Sequence, residues 1–293
     1  MSPALPVLVH QPMQEHSIVS RTLSRRPAVR SLFLVALALS LCFAFHAWAQ
    51  TLPATNAIDR ASLPDAPAPL TSAPNDVTVH NLPRNLLRDQ GAIWTSPLHA
   101  RTRDLKWLLP LAAAAGVAFA TDQHTMTQVV SHNPSFNQAS INTSNVLIGS
   151  WIAVPVAVYG FGHARQSEHA RESGILAGES MADGLVAGEV LKLVFLRERP
   201  NVDNARGQFF KTSAGFNSSF PSEHSVVAWS AASALAAEYP APWMQFALYS
   251  AATGVSLTRV MGQQHFPSDV LVGSSIGWLI GHNVVRHHHK HKE

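Results

Sequence analysis

Beyond about residue 105, apolar residues come in stretches separated by polar turns, and no sustained alternation of apolar and polar residues occurs. Alternation with a period of two is the signature of half-buried strands, so the sequence predicts an all-α fold. Small residues are frequent within the stretches, as at 112–116 and 228–237, and they permit close approach of helices. We predict a bundle of six helices, at residues 105–120, 145–161, 173–198, 222–238, 243–259 and 267–285.

The residues outside this bundle carry other signals. An apolar run at 31–45 follows several arginines and precedes the small residues of Ala47-Trp48-Ala49, which indicates a signal peptide over 1–49. An uncleaved anchor helix is the alternative. Residues 50–104 are predicted to form a disordered Pro-rich linker that ends in a short amphipathic segment, and residues 286–293 a disordered tail rich in His and Lys. The domain itself is expected at 105–285.

Cysteine usage and charge exclude several classes of protein. The only cysteine, Cys42, lies inside the apolar run, so a mature chain would have neither disulfides nor cysteine chemistry. The net charge of +3 arises from arginines before residue 50, and the remainder is electrically balanced. With no basic stripe, nucleic acid is not expected as a partner.

Candidate chemistry lies at the predicted helix ends. Lys192 and Arg199 are seven residues apart, nearly two helical turns, so both cations are expected on one face at the end of the third helix, before Pro200. Ser222 suits the N-cap of the fourth helix, where free backbone amides favour an anion such as phosphate. His224 adds a group that exchanges a proton near neutral pH. Alone, each pattern is more typical of ordinary helix chemistry.

A third pattern joins the fifth and sixth predicted helices. Arg259 ends the fifth helix, and His265 lies before Pro267 at the start of the sixth. Asp269 follows His265 by four residues, close enough on a first turn to hydrogen-bond one imidazole nitrogen and leave the other free. A histidine oriented in this way is what a nucleophile or base requires.

Together the three patterns resemble the motifs of the type 2 phosphatidic acid phosphatase (PAP2) and vanadium haloperoxidase superfamily, over residues 105–285. The resemblance implies a six-helix bundle of that type, in which His265 attacks phosphorus and Asp269 orients it. His224 would protonate the leaving oxygen and then activate water. The resemblance also implies a phosphate cradle formed by Lys192, Arg199, Arg259, the Ser222 hydroxyl and the Glu223 amide.

Two residues depart from the family pattern. Thr258 stands where the family usually has serine, which is a mild change. Glu223 stands where it usually has glycine, and a carboxylate beside bound phosphate repels it. We therefore expect the Glu223 side chain to turn outward, so that only its backbone amide reaches the pocket.

The sequence gives conflicting signals on whether the helices span a membrane and which side the pocket faces. Several predicted helices fall short of the roughly 20 apolar residues that a membrane span requires. Loop charges place the entry to the domain in the cytoplasm, whereas a cleaved signal would place it in the periplasm. We expect a cell-envelope protein, membrane-associated rather than soluble, with its pocket facing the periplasm.

The expected activity is metal-independent hydrolysis of phosphate monoesters or diphosphates, with no cofactor and with vanadate binding only as a phosphate analogue. Lipid phosphates are the favoured substrates: phosphatidate, phosphatidylglycerol phosphate or polyprenyl diphosphate. Three alternatives stay open: a soluble periplasmic acid phosphatase of broad specificity, a vanadate-dependent haloperoxidase and a non-catalytic lipid-phosphate binder. The carboxylates Glu179, Asp183 and Glu189 are interpreted as a polar seam inside the bundle, and no metal site is predicted.

Overall fold

The computed structural model describes residues 77–99 and 101–290, and the regular structure in these ranges is helical throughout. The predicted all-α class is confirmed for this part of the chain. The signal and linker predictions for residues 1–76 lie outside the described residues. The α-helices of the described ranges are α1 (Leu82–Thr95), α2 (Leu105–His124), α3 (Pro134–Ala164), α4 (Glu168–Phe195), α5 (Glu223–Glu238), α6 (Pro242–Met261) and α7 (Pro267–Lys290).

The predicted count of six helices is not confirmed, because α1 precedes the six that were expected. The expected helices all have counterparts, several with different ends. Helix α3 begins at Pro134 rather than at residue 145, since the Asn133 side chain caps it by accepting the amides of Ser135 and Phe136 at 3.0 and 3.2 Å. The cap extends the helix through a polar stretch that its composition does not mark as helical.

The end of α4 differs from the prediction in a way that matters for the site. The helix stops at Phe195 rather than at 198, because Leu196 adopts a left-handed conformation with φ of 43°. Its N–H donates to the Lys192 carbonyl and closes the helix. No glycine or asparagine signals this stop, which explains why the sequence pattern missed it.

Helix α5 lies at the centre of the bundle and packs against α4, α6 and α7. Most of its residues are buried, and nearly all of the buried ones are alanine, serine or valine. Helix α7 approaches it along Gly273, Gly277 and Gly281. A Cβ on Gly277 would lie 2.3 Å from the Val226 carbonyl oxygen, so only glycine permits this approach. The close pairing of α5 and α7 brings the second and third motifs together.

Helices α2 and α3 form the most apolar part of the described chain. The segments Thr102–Val129 and Pro134–Ala164 are long and apolar enough to cross a membrane, with mean hydropathy of 1.2 and 1.5. Their apolar side chains are largely exposed: Trp107 is 73% accessible, Val117 65% and Val156 70%. An exposed apolar face of this kind favours association with a membrane.

Helix α7 continues to Lys290 and thus includes most of the tail that was predicted to be disordered. His288 is buried and lies 2.8 Å from Glu179, whereas His289 lies 2.7 Å from Glu238. Buried partners on α4 and α5 keep the last turns helical, and composition alone does not reveal such partners.

Candidate active site

The first motif lies partly on α4 and partly beyond it. Lys192 is buried in the last turns of the helix, but Arg199 follows the helix end and does not share a helical face with it. The Arg199 guanidinium donates to the Asn217 carbonyl at 3.0 Å and to the Gln264 side-chain oxygen at 2.8 Å. These contacts hold Arg199 against the loop that leads into α7.

The second motif begins α5 as expected, with Ser222 at the N-cap position. Its side chain makes no capping bond, however, and accepts a hydrogen bond from Ser225 at 3.1 Å. The Ser222 N–H donates to the Asp269 carbonyl at 3.1 Å, which joins the starts of α5 and α7. Because the N-cap side chain leaves the first-turn amides free, they remain available to an anion.

His265 is 1% accessible, and its Nδ1 lies 2.6 Å from the Ser219 carbonyl oxygen. The direct hydrogen bond expected from Asp269 is not formed, since Nδ1 and Oδ2 are 3.8 Å apart. A protonated Nδ1 donates to Ser219, so the backbone carbonyl, rather than Asp269, fixes the tautomer. In the neutral ring with its proton on Nδ1, Nε2 carries no proton, as a nucleophile requires.

Both histidines are held neutral by their surroundings. Burial, followed by repulsion from Arg259 and His265, lowers the pKa of His224 to about 3. Burial, followed by the charges of Arg259 and Arg199, lowers the pKa of His265 well below its usual value. Arg259 and Lys192 act on both rings, so the second and third motifs share one electrostatic environment.

Arg259 is the more deeply buried of the two arginines among the predicted phosphate ligands, at 6% accessible. Burial and the nearby Arg199 lower its pKa to about 10, which leaves the guanidinium charged near neutral pH. Its Nε is buried without a hydrogen-bond partner. A buried cation with an unused donor is what an anion site requires.

Glu223 does not turn outward as predicted. Its carboxylate accepts a short hydrogen bond from Lys192, which also donates to Glu189 at 2.7 Å. Burial raises the pKa of Glu223, but hydrogen bonds to Glu189 and Lys192 more than offset this and bring it to about 2. Lys192 is thus held between two carboxylates, and Glu223 occupies one of the predicted phosphate ligands.

Arg197 is a site residue that the sequence analysis missed. It is 3% accessible, and its guanidinium donates to Asp122 of α2 at 2.7 Å and to Asp269 of α7. It also lies over the Phe266 ring, 4.0 Å from the centroid. The sequence did hold a signal: Asp122 is a carboxylate within an apolar stretch and needs a buried partner.

Arg197 therefore positions the third motif through its contact with Asp269. Asp269 accepts hydrogen bonds from Arg197 and, at 2.8 Å, from the Phe266 N–H. Burial raises the pKa of Asp269 to about 6 against the opposing effect of Arg197, so the carboxylate is ionised at neutral pH. The structure brings all eight predicted residues into one region, and their chemical roles remain predictions.

Comparison with known proteins supports the resemblance. Residues 174–293 match the model of the PAP2 superfamily, and all three motifs lie within that range. A segment of 181 residues, 60% of the chain, is 27% identical to a lipid A 1-phosphatase of Porphyromonas gingivalis and covers 37% of that protein. The chain thus spans little more than a third of this relative's length. No solved structure matches.

Proposed function

We propose that this chain is a metal-independent phosphatase that hydrolyses lipid phosphates through a phosphohistidine intermediate. The observation that carries the proposal is His265, a buried imidazole whose Nδ1 is committed to the Ser219 carbonyl and whose surroundings include the charges of Arg259, Arg199 and Lys192. A neutral ring nitrogen among fixed cations suits attack on a phosphoryl group.

In the first step, Nε2 of His265 forms a bond to phosphorus as the bond from phosphorus to the ester oxygen breaks. The leaving oxygen takes a proton from His224 and departs as an alcohol. In the second step, water attacks the phosphohistidine, His224 takes the water's proton, and inorganic phosphate and free His265 result. The charges of Lys192, Arg199 and Arg259 stabilise the phosphoryl oxygens in both steps.

His224 must be protonated to act first as an acid, although its pKa is about 3 without substrate. A bound phosphate places negative charge beside the ring and among the cations that now repel a proton. The pKa of His224 therefore rises when substrate binds. His224 therefore takes up the proton when substrate binds, beside the oxygen atom that leaves.

Three observations support a lipid as the substrate. Phe210 and Phe216, in the loop between the first and second motifs, expose 68% and 73% of their surface. Phe216 directly precedes Asn217, whose carbonyl accepts a hydrogen bond from Arg199 at 3.0 Å, so an apolar group lies near a proposed phosphate ligand. The apolar helices α2 and α3 and the name of the lipid A 1-phosphatase relative point in the same direction. We propose a pocket that faces the periplasm.

The test is phosphate release from a panel of substrates, measured separately on membrane and soluble fractions. The panel contains phosphatidate, phosphatidylglycerol phosphate, polyprenyl diphosphate, lipid A 1-phosphate and p-nitrophenyl phosphate, with EDTA present. Turnover of at least one lipid well above the soluble ester is expected. Preference for p-nitrophenyl phosphate in the soluble fraction would instead indicate a broad acid phosphatase.

The intermediate is tested with matched histidine variants. His265→Ala is expected to abolish phosphate release and labelling by a ³²P substrate, while His224→Gln slows turnover and retains label that is stable to base and labile to acid. His282→Ala is the control, because His282 stacks on Trp278 in α7 and takes no part in the motifs. Undiminished turnover in folded His265→Ala would refute the mechanism.

A further inference from the structure

A second cluster of ionisable side chains lies deep in the bundle, away from the candidate active site. Asp89 of α1, Glu179 of α4 and His288 of α7 are all buried, and one potential ligand atom from each lies within 4.8 Å of the others. Glu179 precedes Lys192 by 13 positions on the same helix, about 20 Å at 1.5 Å per residue. The cluster is therefore separate from the phosphate pocket.

The carboxylate of Asp89 is unsatisfied in this cluster. Its side chain is 3% accessible, and neither of its oxygens has a hydrogen-bond partner. The Nε of Arg88 is 3.6 Å away, but that side chain is 41% accessible and directed to the surface. Burying a carboxylate without a donor costs several kcal/mol, and a bound cation would offset this cost.

The neighbouring groups share this deficit. Nδ1 of His288 is buried without a partner, and so is one oxygen of Asp183, one turn from Glu179 on α4. His288 Nε2 lies 2.8 Å from Glu179 Oε1. That separation is shorter than the roughly 3.4 Å expected between two ligands of a tetrahedral ion at about 2.1 Å, so the two groups would move slightly apart when an ion binds. The cluster and its neighbour Asp183 thus bring together three carboxylates and one imidazole, with little positive charge nearby to balance them.

The way in which helix α1 contacts the bundle suggests a structural role for the cluster. The buried residues of α1 are Asn85 and Asp89, both polar, so no buried apolar side chain holds the helix against the bundle. Asn85 Nδ2 lies 3.4 Å from Glu179 Oε2, a weak contact. Leu86 and Ile93 are only half-buried, so the buried part of this contact is polar, and a shared ion would strengthen it.

We propose that Asp89, Glu179 and His288 bind a divalent transition-metal ion that fastens α1 to α4 and α7. Two carboxylates and an imidazole suit an ion such as Zn²⁺. The ring nitrogen that binds the ion carries no proton, so binding releases one if that nitrogen was protonated. The ion takes no part in phosphate hydrolysis, and the proposal stands whether or not the proposed function is correct.

The test uses the full chain, purified in detergent without nickel affinity. After incubation with Zn²⁺ and dialysis against a weak chelator, about one equivalent of zinc is expected to remain. Glu179→Gln and His288→Gln are expected to retain almost none. His289→Gln is the matched control, because its neighbouring imidazole pairs with Glu238 instead and should leave the zinc content unchanged.

Two further readouts separate a built site from chance chelation by the adjacent histidines. Zinc should raise the unfolding temperature by several degrees and slow hydrogen exchange in residues 82–95, and EDTA should reverse both changes. Asp89→Asn, nearly equal in shape, should lose these effects without unfolding. The proposal is overturned if the wild-type chain keeps no zinc, if Glu179→Gln and His288→Gln keep as much, or if His289→Gln loses it.

Discussion

At the scale of single residues, Glu223 is the most informative departure from the family pattern. Its carboxylate binds the ammonium of Lys192 where phosphate is expected to bind. An oxyanion must therefore displace an internal anion before it can use this cation. In the proposed mechanism, Glu223 would weaken phosphate binding while every proposed catalytic group is kept.

We predict that Glu223→Gln binds phosphate more tightly. Losing one charged hydrogen bond that competes for Lys192 is worth about 1.5 kcal/mol, roughly a tenfold fall in the inhibition constant for inorganic phosphate. Glu168→Gln removes a carboxylate that is 74% accessible at the start of α4 and should change nothing. Equal or weaker inhibition of Glu223→Gln would show that the carboxylate does not compete.

His224 makes stability depend on pH. Its pKa is about 3 in the folded chain and about 6.5 when unfolded. As pH falls from 6.5 toward 3, the unfolded chain gains a proton that the folded chain refuses, so stability is lost in that window. The unfolding temperature of the wild type should decline more steeply over this range than that of His224→Gln.

A bound anion should reverse this effect. Sulfate remains a dianion over the whole range, so it tests the protein's titration rather than its own. We expect the rise in unfolding temperature caused by sulfate to grow as pH falls, and to grow less in His224→Gln. A sulfate effect independent of pH would mean that anion binding and protonation of His224 are not linked.

At the scale of helices, the approach of α7 to α5 sets the geometry of the site. Gly277→Ala would place a methyl group against the Val226 carbonyl, whereas Gly254→Ala, in α6, meets nothing within 4 Å. The first change should cost about 1–3 kcal/mol of unfolding free energy. The second should be neutral or stabilise by about 0.4–1 kcal/mol. Urea unfolding of both variants, with phosphatase activity, provides the measurement.

The helices show what the sequence could and could not predict. Four of the six expected helices were predicted within one residue of their observed starts, because polar turns and prolines mark these points. Helix α1 lies in the segment predicted to be short and amphipathic, but it was left out of the domain, because its buried residues, Asn85 and Asp89, are polar and do not resemble a core face. The stop of α4 at Leu196 depends on a backbone conformation that residue types do not reveal.

The site was predictable in its membership but less so in its contacts. Order and spacing identified Lys192, His224 and His265. The roles of Arg197 and the Ser219 carbonyl depend on contacts between distant segments, with Arg197 meeting Asp122 and Asp269 only after the bundle forms. Such contacts leave no local signature in a single sequence.

At the scale of the whole molecule, the apolar surface of α2 and α3 predicts how the protein partitions. We expect it to sediment with membranes, to resist alkaline carbonate and to be released by detergent. Val117→Glu combined with Val156→Glu replaces two largely exposed residues and should shift the protein toward the soluble fraction. Unchanged partition of a folded double variant would place the membrane contact elsewhere in the chain.

The buried Arg197, within the first motif, also determines when the site can be assembled during synthesis. Arg197 lies 75 positions after Asp122 and 72 before Asp269. At 5–20 residues per second, a ribosome needs on the order of several seconds to add the second carboxylate. Until α7 emerges and docks, the guanidinium has only half of its countercharge. The proposed mechanism therefore predicts no turnover of phosphate esters by the nascent protein until α7 has docked.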